Sequence, residues 1–239
     1  KYEIANIFYI TFKREKSQKI LEEILSETIS SNLKLKSELL LSSITGNSIK
    51  SALPNSTTGI EKSVLAELYF KYALNCDEEG DIETAVKFYK KCVEISQDPK
   101  INKYLSSTLS NLATIFDEHG KTELAIRYLQ ESLRLDEITQ NNNGVYMSAM
   151  KLSELILDKN KSLAYLKRAK NCAIELNEPF YIASSDLALG DFYYVQKDYA
   201  VAIKYYDKAK SLAQNNFTKD NIEKIDQRIN DIKKVYNEK

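Results

Sequence analysis

The sequence is poor in the residues that punctuate a chain. Its 239 residues include 6 glycines, 3 prolines and no tryptophan. A fold of many short strands draws heavily on glycine and proline at its turns, so their scarcity excludes an all-β architecture and suits long helices with short connections. An excess of one charge is also missing. The 34 basic and 34 acidic residues leave a formal net charge of zero, which removes any general attraction to nucleic acid or an anionic membrane. No apolar run reaches the roughly 20 residues that span a bilayer; Ile4–Ile10 is too short and is broken by Asn6. The three cysteines, Cys76, Cys92 and Cys172, have no paired spacing. They read as reduced, buried thiols and place the chain in a reducing, cytoplasmic compartment.

Chemical motifs are missing as well. There is no G-x-S-x-G, no H-E-x-x-H, no P-loop and no cysteine pair at metal spacing. The single histidine, His119, cannot build a His-based metal cluster and reads as a solvated turn residue. The expectation is a protein that catalyses nothing and holds no cofactor and no metal. The chain opens at Lys1 rather than at a methionine, so an upstream leader or DNA-binding domain stays open as an expectation.

What the sequence does contain is a repeat. Tyr69–Gly80 followed by Asp81–Tyr89 aligns without a gap on Leu109–Gly120 followed by Lys121–Leu129. Ala73 falls on Ala113, Gly80 on Gly120 and Ala85 on Ala125, each 40 residues on. The step carries Ala113 to Ser153. A gap of 3 residues then falls at the turn 158–161, after which Ser162–Leu166 matches Ala125–Leu129. A fourth copy runs from Asp186 to Tyr193 and from Ala202 to Ala209. Deletion at a turn costs least, which is where the missing residues fall.

Each copy reads as two helices. Leu109, Leu112, Ala113 and Phe116 recur at three and four spacing, as do Ala125, Leu129, Ser132 and Leu133. Gly120 stands where the first helix must end and the chain turn. Thr58-Gly59-Ile60-Glu61 predicts a capping box before the first copy. Pro99 and Pro179 predict first helical turns, where a missing donor does no harm.

These residues resemble the tetratricopeptide repeat, a helix-turn-helix unit with pattern W-x2-L-G-x2-Y, then A, then F, then P. The fourth copy matches best, with Leu189-Gly190, Tyr193, Ala202, Tyr206 and Ala209. The third, with Ser153 and Ser162, is degenerate. The opening tryptophan is replaced by Tyr69, Leu109, Ala149 and Asp186, and the period of 40 exceeds the usual 34. This is similar to the longer-period branch of the family, seen in bacterial peptide-sensing regulators and eukaryotic polarity adaptors. The resemblance covers about residues 60–214 and implies an all-α, right-handed solenoid of antiparallel helix pairs. The small residues are then expected at helix crossings, with Tyr89, Phe116, Tyr193 and Tyr206 filling the space between neighbouring repeats.

The resemblance also implies a binding face. In the family the first helix of each repeat lines a concave groove that takes protein or peptide. Carried over by alignment, the groove shows Glu67, Phe70, Lys71, Leu74, Asp77 and Glu78 from the first copy and Ser107, Ser110, Asn111, Thr114, Asp117 and Glu118 from the second. The third gives Met147, Met150, Lys151, Glu154 and Leu157, and the fourth Ser184, Leu187, Ala188, Asp191 and Tyr194. The basic and asparagine clamp of chaperone-binding members is missing, and only Asn111 matches the asparagine of the longer-repeat members. Acidic residues outnumber Lys71 and Lys151 on this face, which points to a basic or amphipathic helical partner. The bland alternative is that these charges only solvate a helix face. Two functions follow: an interaction scaffold, or the peptide-sensing part of a bacterial regulator.

The ends are read separately. Residues 1–56 form a helical N-terminal region, with helices at Tyr2–Phe12, Ser17–Ser30 and Leu33–Ser43. Ala5, Phe8, Leu21, Ile24 and Leu25 are candidates for the remains of a repeat, and Gly46-Asn47 and Leu53–Gly59 read as loops. Residues 57–216 hold the four helix pairs. Residues 217–239 form an amphipathic helix on Ile222, Ile225, Ile229, Ile232 and Tyr236. It reads as an end cap, or else as a seam for a partner helix or a second copy of the chain.

Overall fold

The computed structural model describes residues 1–10, 13–27, 30–45, 57–95, 97–213 and 219–237. Among them every regular element is an α-helix: α1 Tyr2–Ile10, α2 Arg14–Leu25, α3 Ser31–Thr45, α4 Lys62–Glu78, α5 Ile82–Ile95, α6 Leu105–Glu118, α7 Thr122–Ile138, α8 Asn142–Leu155, α9 Lys159–Glu175, α10 Pro179–Val195, α11 Tyr199–Ala213 and α12 Lys219–Asn237. The chain divides into two compact units, Lys1–His119 with α1–α6 and Gly120–Lys239 with α7–α12. The expected loops at 46–47 and 53–56 and the side chains of Phe8 and Tyr236 lie outside the described residues.

The turns explain why so little glycine suffices. Gly80 takes φ +81°, and the Asp81 amide donates to the Cys76 carbonyl at 2.8 Å, closing the helix C-terminus with a six-to-one bond. Three non-glycine residues do the same work at positive φ: Gln140 at 56°, Asn177 at 54° and Lys197 at 62°. Each is followed by the matching bond, from Asn141 to Asp136, Glu178 to Ala173 and Asp198 to Tyr193. The left-handed conformation at a non-glycine costs about 1–2 kcal/mol, which three helix ends accept here.

Two expected helix starts are corrected. The capping box at Thr58–Glu61 does not cap α4: Glu61 is its N-cap residue and makes no side-chain cap bond. The loop is instead held from outside, by Asn32 of α3. Its Oδ1 accepts from the Glu61 amide at 2.8 Å, and its Nδ2 donates to the Gly59 carbonyl at 3.4 Å. Pro99 does not start a helix either. It sits in a turn in which the Ile101 and Asn102 amides donate to the Asp98 carbonyl, and α6 begins only at Leu105. The turn delivers the buried Asn102, whose amide donates to the Cys92 carbonyl at 2.7 Å. Pro179 does open α10. At the shortened turn of the third copy, Asp158 caps α9 by accepting from the Lys161 amide at 2.9 Å, so 159–161 are helix rather than loop.

Packing follows the small residues. In the first unit α4 packs on α5, with Ala73 and Ala85 fully buried. In the second, α10 packs on α11 through Gly190; a Cβ there would stand 2.6 Å from the Tyr206 ring. The degenerate third copy crosses α8 and α9 on two serines, and the Ser162 hydroxyl donates to the Ser153 carbonyl at 2.7 Å. A polar residue is tolerated in that crossing because its hydroxyl is satisfied there. Gly144 of α8 has a similar reason, since its Cβ would lie 2.3 Å from the carboxylate of Asp136 on α7. Asp136 is 2% exposed and accepts from the Asn141 side chain at 2.8 Å.

The terminal helices use the same physics. Ala5, Leu21, Ile24 and Leu40 form a small core for α1–α3. Helix α12 buries Ile225, Ile229 and Ile232 against Ala202, Tyr206 and Ala209 of α11. Its register continues the repeat. Lys170 pairs with Asp186 across α9 and α10, and 40 residues later Lys210 pairs with Asp226 across α11 and α12. Asp186 is 2% exposed at the position where the family carries tryptophan, and that pairing is what makes a carboxylate tolerable there.

Candidate binding face of the first helices

None of the groove residues expected from the sequence is fully buried, whereas alternate positions on the same helices are core. The structure gathers them in two sets, one on α4 and α6 in the first unit and one on α8 and α10 in the second.

In the first set a tyrosine hydroxyl joins α4 to α6. Tyr89, on α5 and fully buried along its ring, donates to Asp77 Oδ2 at 3.4 Å and accepts from Asn111 Nδ2 at 2.9 Å. Burial pushes the Asp77 carboxyl above its usual range, the nearby Glu118 charge adds to this, and the Tyr89 hydrogen bond opposes it. Phe70 lies beside the tie, its ring 6.2 Å from Tyr89 and stacked on Tyr104 at 4.8 Å. Glu67 pairs with Lys71 at 3.0 Å and with Lys103 at 3.9 Å. Lys103 also lies 5.0 Å from the centre of the Tyr104 ring. Ser110, Thr114 and Asp117 occupy the half-buried to exposed face of α6, with the Thr114 hydroxyl bonded back to the Ser110 carbonyl. Leu74 is half-buried on α4.

In the second set Met147 is 56% exposed and Leu157 is 98% exposed, while Met150 is half-buried. Lys151 pairs with Glu154 at 3.6 Å within α8. Tyr146 links α8 to α10, stacking on Tyr181 at 4.3 Å. Leu187 and Tyr194 pack against the core shared with α12. Asp191 accepts from the Tyr206 hydroxyl at 2.7 Å and from the Arg228 guanidinium of α12, which also reaches the Tyr206 oxygen at 3.4 Å. Burial pushes the Asp191 carboxyl up, and its two donors oppose the shift.

Part of the expected negative charge is answered inside the chain: Glu67 by Lys71, Glu154 by Lys151 and Asp191 by Arg228. Sequence reasoning treated Tyr89 and Tyr206 as filling and missed their hydroxyls. It also missed Tyr104, which precedes α6, and Arg228 of α12. One signal was available. Asn111 follows Tyr89 by 22 residues, and Arg228 follows Tyr206 by the same 22.

Other candidates for chemistry are quiet. His119 is exposed at the end of α6, its Nδ1 2.7 Å from the Ile115 carbonyl. The three cysteines are free and buried. Among the described residues no group of three or more His, Cys, Asp or Glu could hold a metal ion, and no helix is long and apolar enough to cross a membrane.

Comparison with known proteins bears on the family. A tetratricopeptide repeat profile matches residues 64–138 and a second matches 187–216. No curated protein matches the chain significantly in sequence. Among the solved structures that share its fold are BtubC, RapI and a Rap protein. BtubC (BKLC) from P. vanneervenii matches over 86% of this chain and 91% of that one, at a TM-score of 0.71 and 19% identity. The apo form of RapI matches over 98% of this chain and 71% of that one, at 0.72 and 14%. A Rap protein complexed with Competence and Sporulation Factor matches over 98% and 70%, at 0.51 and 16%. At such identities the likeness speaks for the fold alone, while the two profile matches identify residues 64–138 and 187–216 as tetratricopeptide repeats.

Proposed function

We propose that the chain is a non-catalytic scaffold that binds a protein or peptide on the first helices of its repeats, in a reducing, cytoplasmic compartment. The observation that carries this reading is the half-buried aromatic and polar set Phe70, Tyr104, Asn111 and Asp77 on the face of α4 and α6, tied together by the hydroxyl of the buried Tyr89. Half-buried aromatic rings beside fixed hydrogen-bonding groups are the composition of a recognition surface. The Asn111 amide, held at Tyr89, presents its remaining donor and its acceptor for a ligand backbone.

The test is binding of a peptide array to the full chain, followed by affinity measurement of a selected peptide. Phe70→Ala and Asn111→Ala are expected to weaken it strongly, while Lys90→Ala on the exposed side of α5 leaves it unchanged. Equal loss for all three, or for none, would remove this face from the reading. A second reading, a peptide-sensing part of a regulator, is favoured by the likeness to the Rap protein complexed with Competence and Sporulation Factor. A ligand-induced change in scattering profile of the chain distinguishes sensor from static scaffold.

A further inference from the structure

We infer that the Asp77 and Glu118 carboxylates on the first-unit face receive an arginine side chain of the partner. This rests on the reading of α4 and α6 as the binding face. The chain itself supplies the template. In the second unit Tyr206 bonds a carboxylate, Asp191, and a guanidinium 22 residues downstream, Arg228, closes over both oxygens. In the first unit Tyr89, at the same repeat position, also bonds a carboxylate, but this one is Asp77, about one helix turn beyond Leu74, which takes the place of Asp191. The residue 22 downstream is here Asn111, which satisfies the tyrosine oxygen but brings no charge. Asp77 is therefore left with a neutral neighbour where Asp191 has a cation.

The electrostatics point the same way. Glu118, exposed at the end of α6, acts on Asp77 as a like charge. Among the described residues no ion pair reaches either carboxylate, although Glu67, Glu131, Glu137, Glu154 and Asp186 all have one. An uncompensated carboxylate on a tyrosine hydroxyl, with a second carboxylate acting on it, suits a planar fork of donors better than a compact ammonium, because a guanidinium contacts separate oxygens at once. In the second unit the fork is built in. In the first it is left for the partner to bring.

The experiment uses the full chain and a set of amphipathic helical peptides, each with a single arginine and each paired with a citrulline counterpart that keeps the shape and removes the charge. Binding is followed by amide and tyrosine-ring chemical shifts. Arginine peptides are expected to move the Asn111 side-chain amide and the Tyr89 ring, and citrulline to weaken binding about tenfold, as for the loss of a charge-assisted hydrogen bond. Glu118→Gln, at an exposed site that does not threaten folding, and Asp77→Asn should each weaken arginine peptides more than their citrulline counterparts. Asn111→Arg should fill the site from within, as Arg228 does, and block arginine peptides. If peptides bind this face equally well with citrulline and to all three variants, the arginine inference falls and the binding face stands. If no peptide shifts residues of α4 or α6, both fall.

Discussion

Tyr89 and Tyr206 hold the same place in the repeat, each with a fully buried ring and a hydroxyl on a carboxylate, yet their neighbourhoods differ in charge. Around Tyr206 the carboxylate is matched by Arg228, a residue of the end helix α12. Around Tyr89 the third partner is the amide of Asn111 and a second carboxylate stands near. A folded unit that neutralises its own carboxylate gains internal stability there and offers little to a partner. One that leaves it unmatched keeps an interaction in reserve. The comparison can be broken or sharpened in several ways.

The largest effect is expected from removing what delivers Arg228. Ile225 is fully buried between α12 and α11, and Ile225→Ala should cost about 2–5 kcal/mol in denaturant unfolding. It should also release Arg228 from Asp191, and an intact Tyr206 environment in that variant would break the link between α12 and the tie. Next comes the crossing beneath each tyrosine. Gly190→Ala places a Cβ 2.6 Å from the Tyr206 ring and should cost about 1–3 kcal/mol. The reverse change at the equivalent site, Ala73→Gly, should cost only about 0.5–1 kcal/mol through chain entropy. Thermal melting of the two variants checks the order. Smaller still is loss of the hydroxyls. Tyr206→Phe should cost about 1.5 kcal/mol, low for a bond to a charged group because Asp191 is partly exposed, and Tyr89→Phe about 1 kcal/mol.

The smallest effect distinguishes neither tie and tests what they share. Burial pushes the Tyr89, Tyr104 and Tyr206 hydroxyls well above the ordinary tyrosine value near 10.0. The native state then keeps protons that the unfolded chain releases, so stability is unaffected below that value and falls as pH rises above it. Alkaline absorbance titration should show a group of tyrosines that ionises only as the helical signal is lost. Smooth ionisation of all 16 tyrosines with the helices intact would contradict it.

Much of this was legible beforehand. The 40-residue step, the crossings at Ala73, Ala85 and Ala202 and the core face of α12 all follow from spacing, because helix periodicity fixes which side chains face inward. Boundaries were read less well. Thr58–Glu61 carries a capping pattern, but Asn32 holds that loop from 29 residues away, and local pattern cannot see a distant donor. Gly144 is a residue without local purpose until Asp136 is found against it.

The sequence by itself determined the helical character of the chain and the apolar seams of its helices, since these depend on residue type at short and regular intervals. The tertiary structure alone decided which groove carboxylates are already matched. Asp191 and Arg228 are 37 residues apart, Tyr89 and Asn111 are 22 apart, and each meeting is made by packing a later helix onto an earlier one. A carboxylate reads the same in a sequence whether or not such a neighbour arrives, because its charge is local and its compensation is not.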